Sequence, residues 1–472
     1  MVQHRTLLKG GHVLTMDPRL GELAGGDVLI EDGLITAVGA ALDVTDAEIV
    51  DVTGHVVLPG LIDTHRHTWQ TQARAICADW TLTDYFFGLR LAISPAYTPA
   101  DVHLGNQLGA LEALDAGVTT ILDFSHCNNS PDHSDAAVRG LLDAGIRATF
   151  GYGFFDSSPT APSHFPDHAS RIADFERIAG NHFGSGGLLR PGVALTELGM
   201  VPFSRTRAEI EAARRHDALI ATHMACVWSM PSGFDELESA GLLGPDLVHI
   251  HCNALTDGQW AAVARSGGKV SISVETELNM GMGRPVFAQC ERYGIKPTLS
   301  CDVVSLNSGD LITQARIGLG FKRWADTEAV NRAGQDPRTV STTSLQALEW
   351  LTVNGADALG LADQVGSLTP GRQADVIVVG GDGVAQHPRP DPAGTLLFQT
   401  RPTDVRHVLV QGRFVKRDGA LIGHDMARLQ ADAEESSARV LRRVRDLGIT
   451  LPGTPAGAVG GIAAAAVANL QI

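Results

Sequence analysis

The chain has 472 residues, with 37 Lys and Arg against 53 Asp and Glu, and its formal net charge of −16 argues against a surface for nucleic acid or anionic membrane. Apolar residues make up 44% of it with only 5% aromatic, and 52 glycines are spread along it, the composition of a compact α/β enzyme rich in tight turns and not of a disordered or fibrous chain. The length leaves room for more than one domain, although a single α/β barrel takes up about 250 residues.

The opening "MVQHRTLLKGGHVL" lacks the charged-then-apolar order of a secretion signal, and no stretch of about 18 strongly apolar residues follows, so a soluble cytoplasmic protein is expected. Residues 1–57, with "TLLKGGHVLTMDP" and "GDVLIEDGLITAVG", alternate apolar and polar positions around Gly and Asp-Gly turns, the pattern of small antiparallel hairpins. Eight short apolar runs ending in polar residues come next: Val56–Thr64, Thr119–Phe124, Ile146–Phe150, Gly192–Glu197, Leu219–His223, Leu247–His251, Lys269–Val274 and Pro297–Asp302. Amphipathic stretches such as "DVHLGNQLGALEALDAG" separate most of them. Near-continuous apolar strands alternating with helices call for a parallel sheet covered on both faces. The expectation for 58–365 is therefore α/β, a (β/α)8 TIM-like barrel, with a doubly wound open sheet as the alternative. Residues 366–422 ("GSLTPGRQADVIVVGG", "VRHVLVQGRFVKRDG") return to the hairpin pattern, so the two ends are expected to build one small β-sandwich domain. Residues 423–472 read as a helix and a Gly, Ala and Pro rich flexible tail. Six cysteines without CxxC spacing fit a reducing compartment.

The stretch "PGLIDTHRHTWQ" places His65 and His67 two residues apart at the end of the first run. On a strand, positions i and i+2 share a face, which suits a metal ion. His223 closes the fifth run, His251 the sixth and Asp302 the eighth. In a barrel the carboxyl ends of all strands meet on one rim, so these five side chains converge on one point.

With "THMA", "HIHCNALTD", "LSCD" and the late "NGADALGLADQVGSLTPGRQADVIVV", this constellation resembles the amidohydrolase superfamily, in particular its triazine hydrolase, cytosine deaminase and guanine deaminase branch. The resemblance implies that His65, His67, His223 and Asp302 hold one divalent metal, Zn²⁺ or Fe²⁺, and that Asp302 also acts as the base. It implies that His251 touches the water or the substrate, a role for which His249 competes. It further implies a small heterocyclic substrate, no nucleic acid or membrane partner, and a homo-oligomer. Binuclear relatives bridge their ions with a fourth-strand lysine, and no lysine occurs between Lys9 and Lys269; Glu197, at the end of the fourth run, is the remaining candidate bridge to a second ion. A divalent ion brings the pKa of its water from about 15.7 towards about 7, so the expected reaction is hydrolytic attack by hydroxide on a C–N bond of an N-heterocycle.

The chain departs from the branch at one position: where the deaminases carry a glutamate three residues after the fifth-strand histidine, "HMAC" has Cys226. A thiol, with a reference pKa of about 8.5, is a weak acid for ring protonation. Glu275, and less so Glu277, in "SVETELNMGMG" are the expected replacements. His126, Trp69, Gln70 and Asn307 are expected to contact substrate, Trp80 to stack on it or fill the loop core, and Met280 and Met282 to pack. Hydrolysis of a cyclic amide or a carbon–halogen bond, and a catalytically silent scaffold, are the alternative functions.

Overall fold

The computed structural model describes residues 5–156, 163–184, 186–229, 232–381 and 383–452, so the expected tail from 453 onwards lies outside the described residues. Among the described residues seventeen strands form two sheets. The N-terminal strands β1 (Arg5–Leu14), β2 (Glu22–Glu31), β3 (Leu34–Ala40), β4 (Glu48–Asp51) and β5 (Val56–Pro59) join the late strands β14 (Val376–Val379), β15 (Val405–Val410), β16 (Arg413–Arg417) and β17 (Ala420–Leu421) in one nine-stranded sheet. The antiparallel ladder that pairs β5 with β14, Val57 opposite Val378, joins the two chain ends. Leu8, Val28, Val57, Val376 and Leu409 fill the core of this sheet.

The other sheet is parallel and holds β6 (Leu61–Arg66), β7 (Val118–Ser125), β8 (Arg147–Gly153), β9 (Leu189–Ala194), β10 (Leu219–Met224), β11 (Leu247–His251), β12 (Lys269–Ile272) and β13 (Pro297–Leu299) in sequential order. All eight apolar runs therefore supply barrel strands. The first run differs in one respect, because Val56–Thr64 is two strands, β5 in the terminal sheet and β6 in the barrel. Gly60 makes the crossing: a Cβ there would lie 2.0 Å from Thr119 Oγ1, too close for any side chain.

Closure of the barrel is made at its mouth. Arg66 bridges Asp302 in parallel register, with Asp302 N donating to His65 O (3.0 Å) and His67 N donating to Asp302 O (2.9 Å). This single bridge, from the end of β6 to a residue three positions beyond β13, brings together side chains of the first and last strands' ends. A C-terminal helix, Met426–Asp446, lies against the helix Pro99–Asp115, where buried Asp101 accepts from Ser436 (2.7 Å), Arg439 (2.5 Å) and Arg443 (3.1 Å). Among the described residues no helix is long and apolar enough to cross a membrane, and all six cysteines are free.

Candidate active site

The barrel mouth is lined by four imidazoles and one carboxylate. His65 and His67 sit with ring centroids 4.6 Å apart at 83°, and His65 lies 5.1 Å from His223 and 5.8 Å from His251. Ligand atoms of His65, His223 and His251, and those of His65, His67 and Asp302, lie within 4.8 Å of one another, so both groups share His65. Two of the five residues hold backbone conformations that non-glycine residues seldom adopt: His251 has φ 74° and Asp302 φ 58°. Such strain, costing about 1–3 kcal/mol, persists only where surrounding structure enforces it.

The positive φ separates two histidines of one strand. His249 is buried, against Phe234 (6.3 Å) and Gly268, on the helix-covered side of the sheet. Regular alternation would turn His251 the same way, but the left-handed turn at its own residue brings it into the mouth.

The donor set fits a divalent cation. His65 Nε2 lies 3.0 Å from Asp302 Oδ1, yet neither ring nitrogen of this fully buried side chain has a hydrogen-bond partner among the described residues. A cation held at this point would give the ring nitrogen and the carboxylate a common partner. His67 Nδ1 donates to Phe124 O (2.8 Å), which leaves Nε2, 3.4 Å from Asp302 Oδ1, free to face the cluster. Burial pushes His65 well below the ordinary histidine value and His223 down to about 4, so both are neutral, as ligands must be. Burial also works against the charge on Asp302, but the neighbouring His65 and His67 outweigh it and hold the carboxyl well below its usual range.

Around this centre the remaining candidates divide. Glu277, not Glu275, reaches the cluster: its Oε1 lies 3.2 Å from His251 Nδ1 and accepts from Ser273 N at 2.9 Å. Glu275 faces the helix Leu311–Arg332, its carboxylate accepting from Gln314 Nε2 of that helix (2.6 Å) and from Ser308 just before it (3.4 Å), and burial pushes it up to about 7. Both glutamates belong to the helix Val274–Asn279, and two residues along a helix turn about 200°, so one faces the site and the other faces away. His126 stacks on His67 (4.2 Å) and accepts from Trp69 Nε1 at 3.0 Å, so Trp69 positions His126 from behind. Gln70 has both ends occupied, donating to Tyr85 Oη (2.7 Å) and accepting from Ser305 (2.9 Å). Asn307 donates to Thr276 Oγ1 (2.6 Å) and Cys301 O (3.0 Å), bracing the backbone beside Asp302. Trp80 is buried beside Gly88, where an added Cβ would sit 2.6 Å from its ring, so it fills the loop core. Met280 and Met282 are buried packing residues.

The amidohydrolase family model matches residues 56–415, which is most of the chain. The chain belongs to the amidohydrolase family. This amidohydrolase is 28% identical over 451 residues to a 5'-deoxyadenosine deaminase of Methanosarcina barkeri, covering 93% of this chain and 99% of that one. Its fold is similar to that of an adenosine deaminase from Xanthomonas campestris with bound zinc (TM-score 0.80, 21% identity, 93% and 98% coverage). It is equally similar to an atrazine chlorohydrolase from Arthrobacter aurescens TC1 complexed with zinc (TM-score 0.79, 22% identity, 92% and 100% coverage). It is a metal-dependent hydrolase acting on carbon–nitrogen bonds, and its cofactor is a divalent ion.

One residue near the mouth escaped the sequence reading, and it pairs with Glu197. Arg90, in the π-helical segment Phe86–Ile93, is 2% exposed and donates from Nη1 to Glu197 Oε1 at 2.8 Å. The signal was a single charge inside the apolar "YFFGLRLAI", since arginine is seldom fully buried without a partner. Glu197, three residues beyond β9, reaches His223 Nδ1 at 3.7 Å and lines a cavity of about 60 Å³ with His223 and Cys226. Burial raises the Glu197 carboxyl, but Arg90 and His223 outweigh it and bring it to about 2. Burial pushes the Cys226 thiol up to about 12.

Proposed function

We propose that the protein is a mononuclear aminohydrolase of a small N-heterocyclic substrate, with His65, His67, His223 and Asp302 holding one zinc ion. The observation that carries this reading is the meeting of two groups of candidate donors at His65, one with His223 and His251 and the other with His67 and Asp302, at the barrel mouth. Zinc is chosen over iron because imidazole and carboxylate ligands suit it and the similar solved structures contain it. One ion is chosen over two because Arg90, 2.8 Å from Glu197, already supplies the positive charge beside the carboxylate that would have to bridge a second.

A divalent ion, when bound, makes hydroxide available at neutral pH and polarises the carbon under attack. Asp302, 3.0 Å from His65 Nε2 and 3.9 Å from His251 Nε2, is placed to accept the proton of the attacking water and return it to the departing amine. Glu277 accepts the Nδ1 proton of His251 and so aims Nε2 into the mouth, where it steadies the tetrahedral centre. His126, stacked on His67, walls the ring-binding side. A cyclic amide hydrolase is the second reading, favoured by Cys226: a buried neutral thiol gives little help in protonating a ring nitrogen.

Metal analysis combined with ammonia release across aminated purines, nucleosides, pterins, pyrimidines and triazines tests the proposal. About one zinc per chain and ammonia from at least one ring are expected. A metal-loaded protein that opens cyclic amides and releases no ammonia would move the assignment to the second reading.

A further inference from the structure

At the floor of the barrel, opposite the mouth, Arg147 begins β8 and Arg190 is the second residue of β9. The buried arginines Arg66, Arg90, Arg147 and Arg171 each meet a carboxylate, as arginines out of water almost always do. Half-buried Arg190 does not. Its Nε donates to Thr149 Oγ1 (2.7 Å), and among the described residues this is the one hydrogen bond of the guanidinium, although Nη2 is fully buried. Burial, reinforced by the charge of Arg147, brings the group down to about 10, with no acidic neighbour acting against it.

Arg190 lines a cavity of about 170 Å³ whose other walls include Gly186, Gly187 and the segment leading into β14, with Gln364 and Gln373. None of the lining residues is acidic, in a chain with 53 Asp and Glu. The orientation of the two amides follows from Arg147, whose guanidinium only donates. Arg147 is neutralised by Asp375, to which Nε (2.8 Å) and Nη2 (3.0 Å) donate, and Nη2 also donates to Gln373 Oε1. The other end of that amide, Nε2, donates to Gln364 Oε1 (3.4 Å). Gln364 Nε2 is then a second donor without a partner among the described residues. The cavity thus offers a guanidinium and an amide N–H, while both side-chain oxygens of its wall are taken.

A positive charge and an open donor on one cavity, with no negative charge to meet them, are the chemistry of an anion site. We propose that this cavity binds a small oxyanion, inorganic phosphate or the carboxylate of a small acid, held between Arg190 and Gln364. Its volume is below the about 300–1,000 Å³ of sites for larger organic ligands, which suits an ion and not a second heterocyclic substrate. The anion ties the floor of the barrel to the segment that enters the terminal sheet, on the face of such barrels that serves stability and not chemistry. The site is independent of the aminohydrolase reading.

The test uses the full-length, metal-loaded protein in Tris chloride at constant ionic strength, titrated calorimetrically with inorganic phosphate and, separately, with acetate. At least one anion is expected to bind, and which of them binds names the source. Its Kd is expected to weaken by about 10- to 100-fold in Arg190→Met, the effect of losing a charged hydrogen-bond donor, and by less in Gln364→Leu. Metal content is expected to be that of wild type in both variants, which separates this site from any anion taken up at the mouth. Saturating anion is expected to raise the melting temperature of wild type by about 2–4 °C and to leave that of Arg190→Met unchanged. In chloride alone Arg190→Met is expected to melt no lower than wild type, because it removes a half-buried charge that has no counter-charge. Gln364→Leu leaves every charge in place and carries the comparison if Arg190→Met does not fold. Absence of binding up to about 10 mM of either anion, or binding that the folded variants keep at wild-type affinity, would overturn the proposal. Equal destabilisation of Arg190→Met with and without anion would also overturn it and leave Arg190 a structural cation.

Discussion

The two sides of the barrel mouth are held in different ways. At the seam between β6 and β13, His65, His67 and Asp302 are fixed through their own main chain, by two hydrogen bonds that also close the barrel. Near β9 and β10, Glu197 and Cys226 lie beyond the strand ends; the Glu197 carboxylate meets the side chains of Arg90 and His223, and its carbonyl accepts from Met200 N within the same loop. The seam cannot shift without opening the barrel, which suits a centre that must hold its donors to a fraction of an ångström. The other side can change its side chains without touching the ladder, and that suits substrate choice.

The comparison is broken most severely at the seam. His65→Ala together with His67→Ala is expected to abolish metal binding and turnover, and elemental analysis of the purified variant checks it; wild-type metal content would show that the ion binds elsewhere. Asp302→Asn keeps size and one ligand oxygen but removes the base, so kcat is expected to fall by about 10² to 10⁴ with metal retained. Near wild-type turnover in a metal-loaded Asp302→Asn protein would exclude the proton-transfer role.

Supports of the seam come next. Glu277→Gln weakens the grip on His251 and is expected to cost about 10- to 100-fold in activity or metal affinity, the usual effect of losing the partner of a site histidine. Glu275→Gln, on the opposite face of the same helix, is expected to stay within a few-fold of wild type. Parallel kcat measurements decide between them, and the reverse order would mean that the helix turns in solution. The smallest effect belongs to Cys226→Ala. A thiol raised to about 12 neither ionises nor donates well at neutral pH, so a change of no more than about three-fold in kcat is expected. A loss beyond ten-fold in steady-state rate would restore Cys226 to the proton path.

The order of the eight strands and the five metal-site candidates could be read before any coordinates, because both rest on short-range chemistry. Apolar runs of strand length ending in His or Asp report burial and strand end together, and a barrel sends all its strand ends to one rim. The join at Gly60 was not legible, since "VVLPGLIDT" is apolar throughout and only the approach of Thr119 shows that the chain changes sheets there. The choice between His249 and His251 could only be guessed from the turn that follows. It depends on a positive φ at a non-glycine residue, which side-chain patterns do not encode.

What the sequence by itself determined is thus the architecture and the kind of chemistry: an α/β barrel with an imidazole and carboxylate centre, drawn from residues whose identity and strand-end position suffice. Tertiary structure alone decided which glutamate faces that centre, because the phase of the helix Val274–Asn279 is set where Ser273 N donates to Glu277. It alone also joined Arg90 to Glu197, 107 positions apart in the chain, since a pairing over that distance depends on where two loops come to rest and not on any local pattern.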